Sequence, residues 1–183
     1  DLDWVILRPS VVVGGGAYGG SALFRGLAAL AVQPRAQEAG PLHILPLDDV
    51  VATALWFLQP DAPAHVQLEL AGPERLPFDD VVARYRNWLG WRPARQVQVP
   101  RWLMSLTYRL GDFAGWLGWR PPIRTTARQE IVRGAIGDPA PWTQMTGIVP
   151  RSLEASLRTG PASVQEKWFA RLYLLKPVIF GVF

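Results

Sequence analysis

Trp4-Val-Ile-Leu-Arg-Pro-Ser-Val-Val-Val13, running directly into Gly14-Gly-Gly-Ala-Tyr-Gly-Gly20, is the stretch whose reading decides the fold. The β-branched and aliphatic run is too short for a buried helix, is closed by glycines, and precedes a helical pattern from Ser21 to Leu30. That order reads as a buried strand feeding a loop and a helix. Pro9 lacks the N–H a ladder needs, so regular pairing is expected to bend or end there. A buried strand needs neighbours on both sides, and only Asp1, Leu2 and Asp3 come before it, so those neighbours are expected to lie outside the chain.

Gly14-Gly15-Gly16-Ala17-Tyr18-Gly19 matches G-x-G-x-x-G between a predicted strand and a predicted helix, the context of a dinucleotide fingerprint. The pattern also requires an acidic residue at the end of a second strand about 20 residues on, to hold a ribose. Glu38 has the spacing but lies in the turn-rich connection from Gln33-Pro34 to Gly40-Pro41. Glycines that only form a wide turn explain the loop equally well. Bent strand ends in open α/β sheets border ligands, which draws attention to Arg8-Pro9-Ser10; a structural role, with Arg8 paired to a carboxylate and Ser10 satisfied by backbone or solvent, fits the residues comparably.

Further along, His43 to Leu47 reads as a short extended segment and Asp48 as the N-cap of a helix whose apolar face is Val50, Val51, Ala54, Leu55 and Leu58. Val66 to Leu70 alternates as a half-buried strand, and Phe78-Asp79-Asp80-Val-Val-Ala83 repeats Leu47-Asp48-Asp49-Val-Val-Ala52 at the start of a helix reaching Leu89. The flanks of the two segments differ, so capping explains the match better than an internal repeat. From Pro100 the pattern becomes helical: Leu103, Leu106, Leu110, Phe113 and Leu117 share a face, Thr126 with Gln129 forms a capping box, 138–147 reads as a loop carrying Trp142, and 150–158 as a short helix. The last segment opens with a second capping box, Ser163 and Glu166. It continues through Trp168-Phe-Ala-Arg-Leu-Tyr-Leu-Leu-Lys176 into the apolar run Pro177 to Phe183. Aromatic and basic residues before an apolar run resemble the entry to a membrane helix, preferred here to a C-terminal helix docked on the core.

The composition excludes several chemistries. A chain of 183 residues, 49% hydrophobic, sustains a real core. With no cysteine and only His43 and His65, thiol nucleophiles, zinc-thiolate sites and histidine-rich metal clusters are ruled out. The net charge of +4 is almost entirely arginine, scattered singly, so nucleic-acid binding is not expected. No signal peptide is expected, and no stretch reaches the roughly 18 apolar residues of a spanning helix. Asp48-Asp49 and Asp79-Asp80 are explained by helix starts and not as catalytic carboxylates. His43 has no sequence-local triad partner, and nine tryptophans suit the core or a membrane face better than base stacking.

Trp4-Val-Ile-Leu-Arg-Pro-Ser10, the glycine loop, His43-Ile-Leu-Pro-Leu-Asp-Asp-Val50 and Leu70-Ala-Gly-Pro-Glu74, in that order, resemble the C-terminal half of an extended or atypical short-chain dehydrogenase/reductase. The segment from Trp168 to Pro177 resembles the linker into the DoxX-like membrane domain fused to some bacterial members. The resemblance implies an α/β fold: the C-terminal strands of a Rossmann-type doubly wound sheet (1–75), a mostly helical substrate-side subdomain (76–160), and a linker with the start of a membrane-entering helix (161–183). It implies NAD or NADP as cofactor, a carbonyl or sugar-like small molecule as substrate, and a location at the cytoplasmic face of a membrane reached through the C-terminal segment. Pro9, Ser10 and Val11 match the positions at the nicotinamide end of the cofactor, while Arg8, Gly16 and Tyr18 border the substrate. On the same resemblance, the family's phosphate loop lies upstream of this chain, and its Tyr-x-x-x-Lys pair is absent: Tyr18, Tyr85, Tyr108 and Tyr173 are followed four residues later by Ala22, Leu89, Asp112 and Pro177. The chain alone is therefore expected to be catalytically inactive and not to bind the cofactor. The alternative is a non-catalytic, membrane-tethered reductase-fold scaffold or assembly subunit.

Overall fold

A computed structural model describes residues 2–16, 19–35, 39–99, 101–116, 129 and 132–173. The opening run forms two strands, not one. β1 (Val5–Pro9) pairs in parallel with β5 (Val66–Leu70), Pro9 lying opposite Leu70. β2 (Val11–Val13) leaves that partner and pairs in parallel with β4 (Leu42–Pro46). The switch falls at Ser10, directly after the proline, and the Ser10 N–H closes the first ladder on the Leu70 carbonyl at 2.8 Å. The expectation of a fully buried strand fails for β1. Among the described residues β1 is paired on one side only, and Trp4 and Ile6 remain 45% and 44% exposed.

A parallel pair needs a crossover, and α1 (Gly19–Ala29) supplies it between β2 and β4. The connection after α1 begins with β3 (Val32–Pro34), which pairs with β7 (Arg95–Val97). Three-residue strands carry too little periodicity to be read from sequence.

α2 (Leu47–Phe57) and α3 (Phe78–Trp88) start alike, but neither is capped by aspartate. Pro46 and Pro77 occupy the N-caps without a side-chain bond, and the two aspartates lie in the first turn of each helix. Asp48 is therefore not the N-cap. Extended Pro46, at φ −62 and ψ 139, ends β4 and starts the helix two residues earlier, leaving the carboxylates to act on the positive helix end. The match also includes Leu45-Pro46 and Leu76-Pro77, and β6 (Arg75–Leu76) lies antiparallel to β4.

All five residues of β4 are buried, because the strand divides two cores. Leu42 and Ile44 join Phe24, Val81, Tyr85 and Leu89, while Leu45 joins Leu68, Leu70 and Trp142. Trp142, fully buried, sits on α5 (Ala140–Thr146), where the sequence suggests a loop. Two prolines and two threonines hide so short a helix from propensity, and Gly147 ends it at φ 71. α6 (Leu153–Arg158) starts later than expected, capped by Ser152, whose Oγ accepts from the Ala155 N–H.

α4 (Arg101–Trp116) follows Pro100 as expected, yet Leu106, Leu110 and Phe113 of its apolar face are exposed, as are Trp102 and Trp116, so the tryptophans do not fill the core. The capping-box helix starting at Thr126 falls mostly outside the described residues. α7 (Val164–Tyr173) has the expected reciprocal box: the Ser163 N–H donates to Glu166 Oε2 at 2.7 Å, and the Glu166 N–H to Ser163 Oγ at 3.2 Å. It packs on α1 with Ala170 buried, so over Val164–Tyr173 the segment is the docked helix that the sequence reading sets second to a membrane entry. The apolar run 177–183 lies outside the described residues, and among these no helix is long and apolar enough to cross a membrane.

Candidate functional site

A cleft of about 460 Å³ opens at the carboxyl ends of β1 and β5, lined on one side by Arg8, Pro9 and Ser10. Carboxyl ends of parallel strands are where open α/β sheets place their ligand crevices. The facing wall is the segment 133–137, bonded to the edge of β4: the Ala135 N–H donates to the Pro41 carbonyl at 3.1 Å and the His43 N–H to the Ala135 carbonyl at 2.7 Å. Gly134 makes that approach possible. Its φ is +73, and a Cβ there would stand 2.5 Å from the Pro41 carbonyl oxygen. Glu69 secures the wall from below, accepting the Asp138 N–H at 3.3 Å.

The cleft's chemistry is that of donors around a single carboxylate. Arg8 and Arg133 bring guanidinium groups to its lining, against Glu69. Although Arg8 lies opposite Glu69 in the ladder, no ion pair joins them, and among the described residues Arg133 has none either. Ser10 Oγ is buried without a hydrogen-bond partner. An unsatisfied buried hydroxyl costs about 1–3 kcal/mol, and because this oxygen is closed to solvent a ligand oxygen or nitrogen reaches it only when the cleft wall beside it shifts. The structural alternative from sequence, a paired Arg8 and a satisfied Ser10, is not what the described residues form.

Of the other residues singled out in the sequence, Val11 opens β2 opposite Ile44 and packs against the larger core, away from the cleft. Gly16 is exposed and does not line the cleft either. Tyr18 lies outside the described residues. The glycine loop is held by a residue that sequence reasoning missed. Arg25, 4% exposed, donates to the carbonyls of Gly14 at 3.1 Å and Gly15 at 3.3 Å, while Ser21 Oγ donates to that of Gly16 at 3.1 Å. Trp88 and Glu166 hold the guanidinium from behind, at 5.2 Å and 3.8 Å. Three successive loop carbonyls thus face donors on α1, an arrangement for fixing the loop and not for cradling a phosphate. The signal was present: Arg25 is the one charged residue in Ser21 to Leu30.

The paired aspartates have a structural use. Asp49, 5% exposed, accepts the Arg151 N–H at 2.9 Å and Arg151 Nε at 2.8 Å, and Asp48 adds a contact at 3.3 Å. Those bonds hold the Arg151 guanidinium above its ordinary pKa, led by the hydrogen bond to Asp49. A second thread runs from Trp142 Nε1 to Thr53 Oγ1 at 3.0 Å and on to the Asp49 carbonyl at 2.7 Å. His43 is buried with both ring nitrogens unpartnered, and burial, with Arg75 adding to it, lowers its pKa. No group of histidines and carboxylates suited to a metal ion occurs among the described residues.

No protein-family model and no curated protein matches the chain. Solved structures do. A nucleoside-diphosphate-sugar epimerase from Staphylococcus aureus superposes with a TM-score of 0.60 at 12% identity, over 86% of this chain and 52% of that one. The chain carries part of a Rossmann-like fold. UDP-glucose 4-epimerase from Thermotoga maritima, solved with UDP-glucose, gives 0.55 at 15% identity over 97% of this chain and 47% of its own. The Bordetella bronchiseptica enzyme WbmG in complex with NAD and UDP gives 0.55 at 16%, over 100% and 46%. At such identities the likeness establishes fold and nothing finer. The chain spans about half the length of these structures.

Proposed function

We propose that this chain is the C-terminal half of an NAD(P)-dependent reductase of the epimerase-like, short-chain dehydrogenase type, acting on a carbonyl or sugar-like small molecule. In this reading Pro9 and Ser10, with Val11 behind them, border the nicotinamide end of NAD or NADP, and Arg8, Gly16 and Tyr18 lie toward the substrate. The observation that carries it is the unpartnered, buried Ser10 hydroxyl beside Arg8 in a cleft at the carboxyl ends of two parallel strands. The fold shared with enzymes solved with NAD and with UDP-glucose supports it.

The cofactor, when bound, supplies the hydride. This chain's part is to orient it: Ser10 Oγ offers a hydrogen bond at the cleft floor, Pro9 offers a rigid apolar edge, and Arg8 and Arg133 attract negative charge. The general acid and the diphosphate cradle belong, in this reading, to upstream sequence. The apolar 177–183 run continues into a membrane domain of the DoxX-like kind, with the reductase on the cytoplasmic face; the aromatic and basic residues of Trp168 to Lys176 support that part.

The test is to express the reading frame containing Asp1 together with its upstream sequence, beside the 183-residue chain. The longer protein is expected to bind NAD(H) or NADP(H) saturably by calorimetry, and Ser10→Ala, which removes only the hydroxyl, to weaken binding at least tenfold without unfolding it. The 183-residue chain is expected to bind neither. Micromolar cofactor affinity in that chain, or undiminished binding by the Ser10→Ala protein, would overturn the proposal. Loss of the upstream Tyr-x-x-x-Lys pair with retained cofactor binding would leave a structural subunit in place of an enzyme.

A further inference from the structure

We infer that α4 is a docking surface for an anionic lipid bilayer. Trp102, Leu106, Leu110, Phe113 and Trp116 recur at helical spacing, and all five are exposed, from 46% at Leu106 to 79% at Trp116. Helices of soluble proteins bury such a stripe, whereas α4 has no extensive packing against another element among the described residues. The stripe has the layout of an interfacial helix. Indoles stand at both ends, Leu106 and Leu110 lie between, Phe113 packs on Trp116 at 5.9 Å between ring centroids, and exposed Arg109 falls within the same helical arc, where its long stem can carry the guanidinium to the headgroups. A 16-residue helix is about 24 Å long, ample for lying in the headgroup plane and too short to span.

Charge selects the lipid. Residues 101–133 hold Arg101, Arg109, Arg120, Arg124, Arg128 and Arg133 against Asp112 and Glu130, a net +4 that equals the formal net charge of the entire chain. The remaining residues balance, with 13 basic against 13 acidic side chains, from totals of 19 and 15. The excess positive charge therefore belongs, in sequence, to the stretch that begins with the exposed apolar helix. Basic residues near an anionic surface each add roughly 1 kcal/mol of attraction, and burial of Leu and aromatic side chains supplies the apolar part. The inference is independent of the reductase reading and of the apolar 177–183 segment.

The experiment is co-sedimentation of the 183-residue chain with phosphatidylcholine vesicles, with and without about a third phosphatidylglycerol. Tryptophan emission and circular dichroism are recorded in parallel. Binding is expected with the anionic vesicles, weakened at least tenfold by raised salt and blue-shifting the emission. Leu106→Gln with Leu110→Gln is expected to lower it at least tenfold with unchanged circular dichroism, both positions being exposed. Arg109→Glu is expected to lower binding to anionic vesicles alone. Absence of vesicle binding overturns the inference. So does binding that survives the double substitution, which assigns the affinity to the C-terminal run, or a dimer in sedimentation velocity that the same substitutions dissociate, which assigns the stripe to a second copy.

Discussion

Removing Arg151 should cost more stability than removing Asp49, although the two share the same bonds. Arg151→Ala strands a carboxylate whose side chain is 8% exposed, with the backbone N–H of residue 151 as its remaining partner at 2.9 Å. Asp49→Ala strands a guanidinium that is 36% exposed and still reaches Asp48 at 3.3 Å. Truncating one partner of a fully buried pair costs about 3–5 kcal/mol, and a hydrogen bond to a charged group contributes about 1.5–3. With one partner open to solvent, the lower part of that range applies: about 3 kcal/mol for Arg151→Ala and about 2 for Asp49→Ala. The double variant should cost little more than Arg151→Ala alone, a coupling of about 1.5–2 kcal/mol. Urea denaturation of the four proteins at one pH, with m-values compared to confirm two-state unfolding, measures all three quantities. Additivity within about 0.5 kcal/mol would refute the pairing. A larger loss for Asp49→Ala would refute the argument that burial of the carboxylate decides the asymmetry.

Three further outcomes follow from the same packing. Gly72→Ala places a Cβ 1.9 Å from the Ile44 carbonyl oxygen and should destabilise by about 3 kcal/mol or more, read as a fall in melting temperature. Trp142→Phe keeps most of the fully buried ring but removes the Nε1 donor to Thr53; a loss of about 1–2 kcal/mol in urea is expected, against about 3–5 for Trp142→Ala. Because burial, helped by Arg75, lowers the His43 pKa in the fold, the unfolded chain takes up the proton first. Stability from neutral His43 is therefore complete above about pH 6.5 and declines as pH falls through that value toward the lower folded pKa. His43→Leu should flatten that acid limb in a melting-temperature profile; an unchanged limb would exclude His43 as its source.

Much of the secondary structure was legible because the patterns were long. The strand Val66–Leu70 alternates over five residues, and α1, α2, α3 and α4 each carry an apolar face over about three turns or more. β3, β6 and β7 were missed because two or three residues carry no period. α5 was missed because its stability comes from Trp142 in the second core and not from its own propensities. At the cleft, Arg8-Pro9-Ser10 was readable from a proline inside a strand pattern. Arg133 and Glu69 were not, since they are 64 residues apart and meet only across the β5 end and the segment bonded to β4.

The amino-acid sequence alone settled local events: where backbone donors are missing, as at Pro9, where glycines and prolines end elements, and which faces are apolar. It also contained the concentration of charge in 101–133, which needs only counting. The tertiary structure decided whether those faces find partners. It paired β1 with β5 and β2 with β4 on either side of Ser10, left the Ser10 hydroxyl without a bond, turned the glycine-loop carbonyls to Arg25, and left the stripe of α4 uncovered. The physical reason is range. Donor loss and helix periodicity act within a few residues, whereas burial and hydrogen-bond satisfaction depend on groups that the chain brings together from far apart.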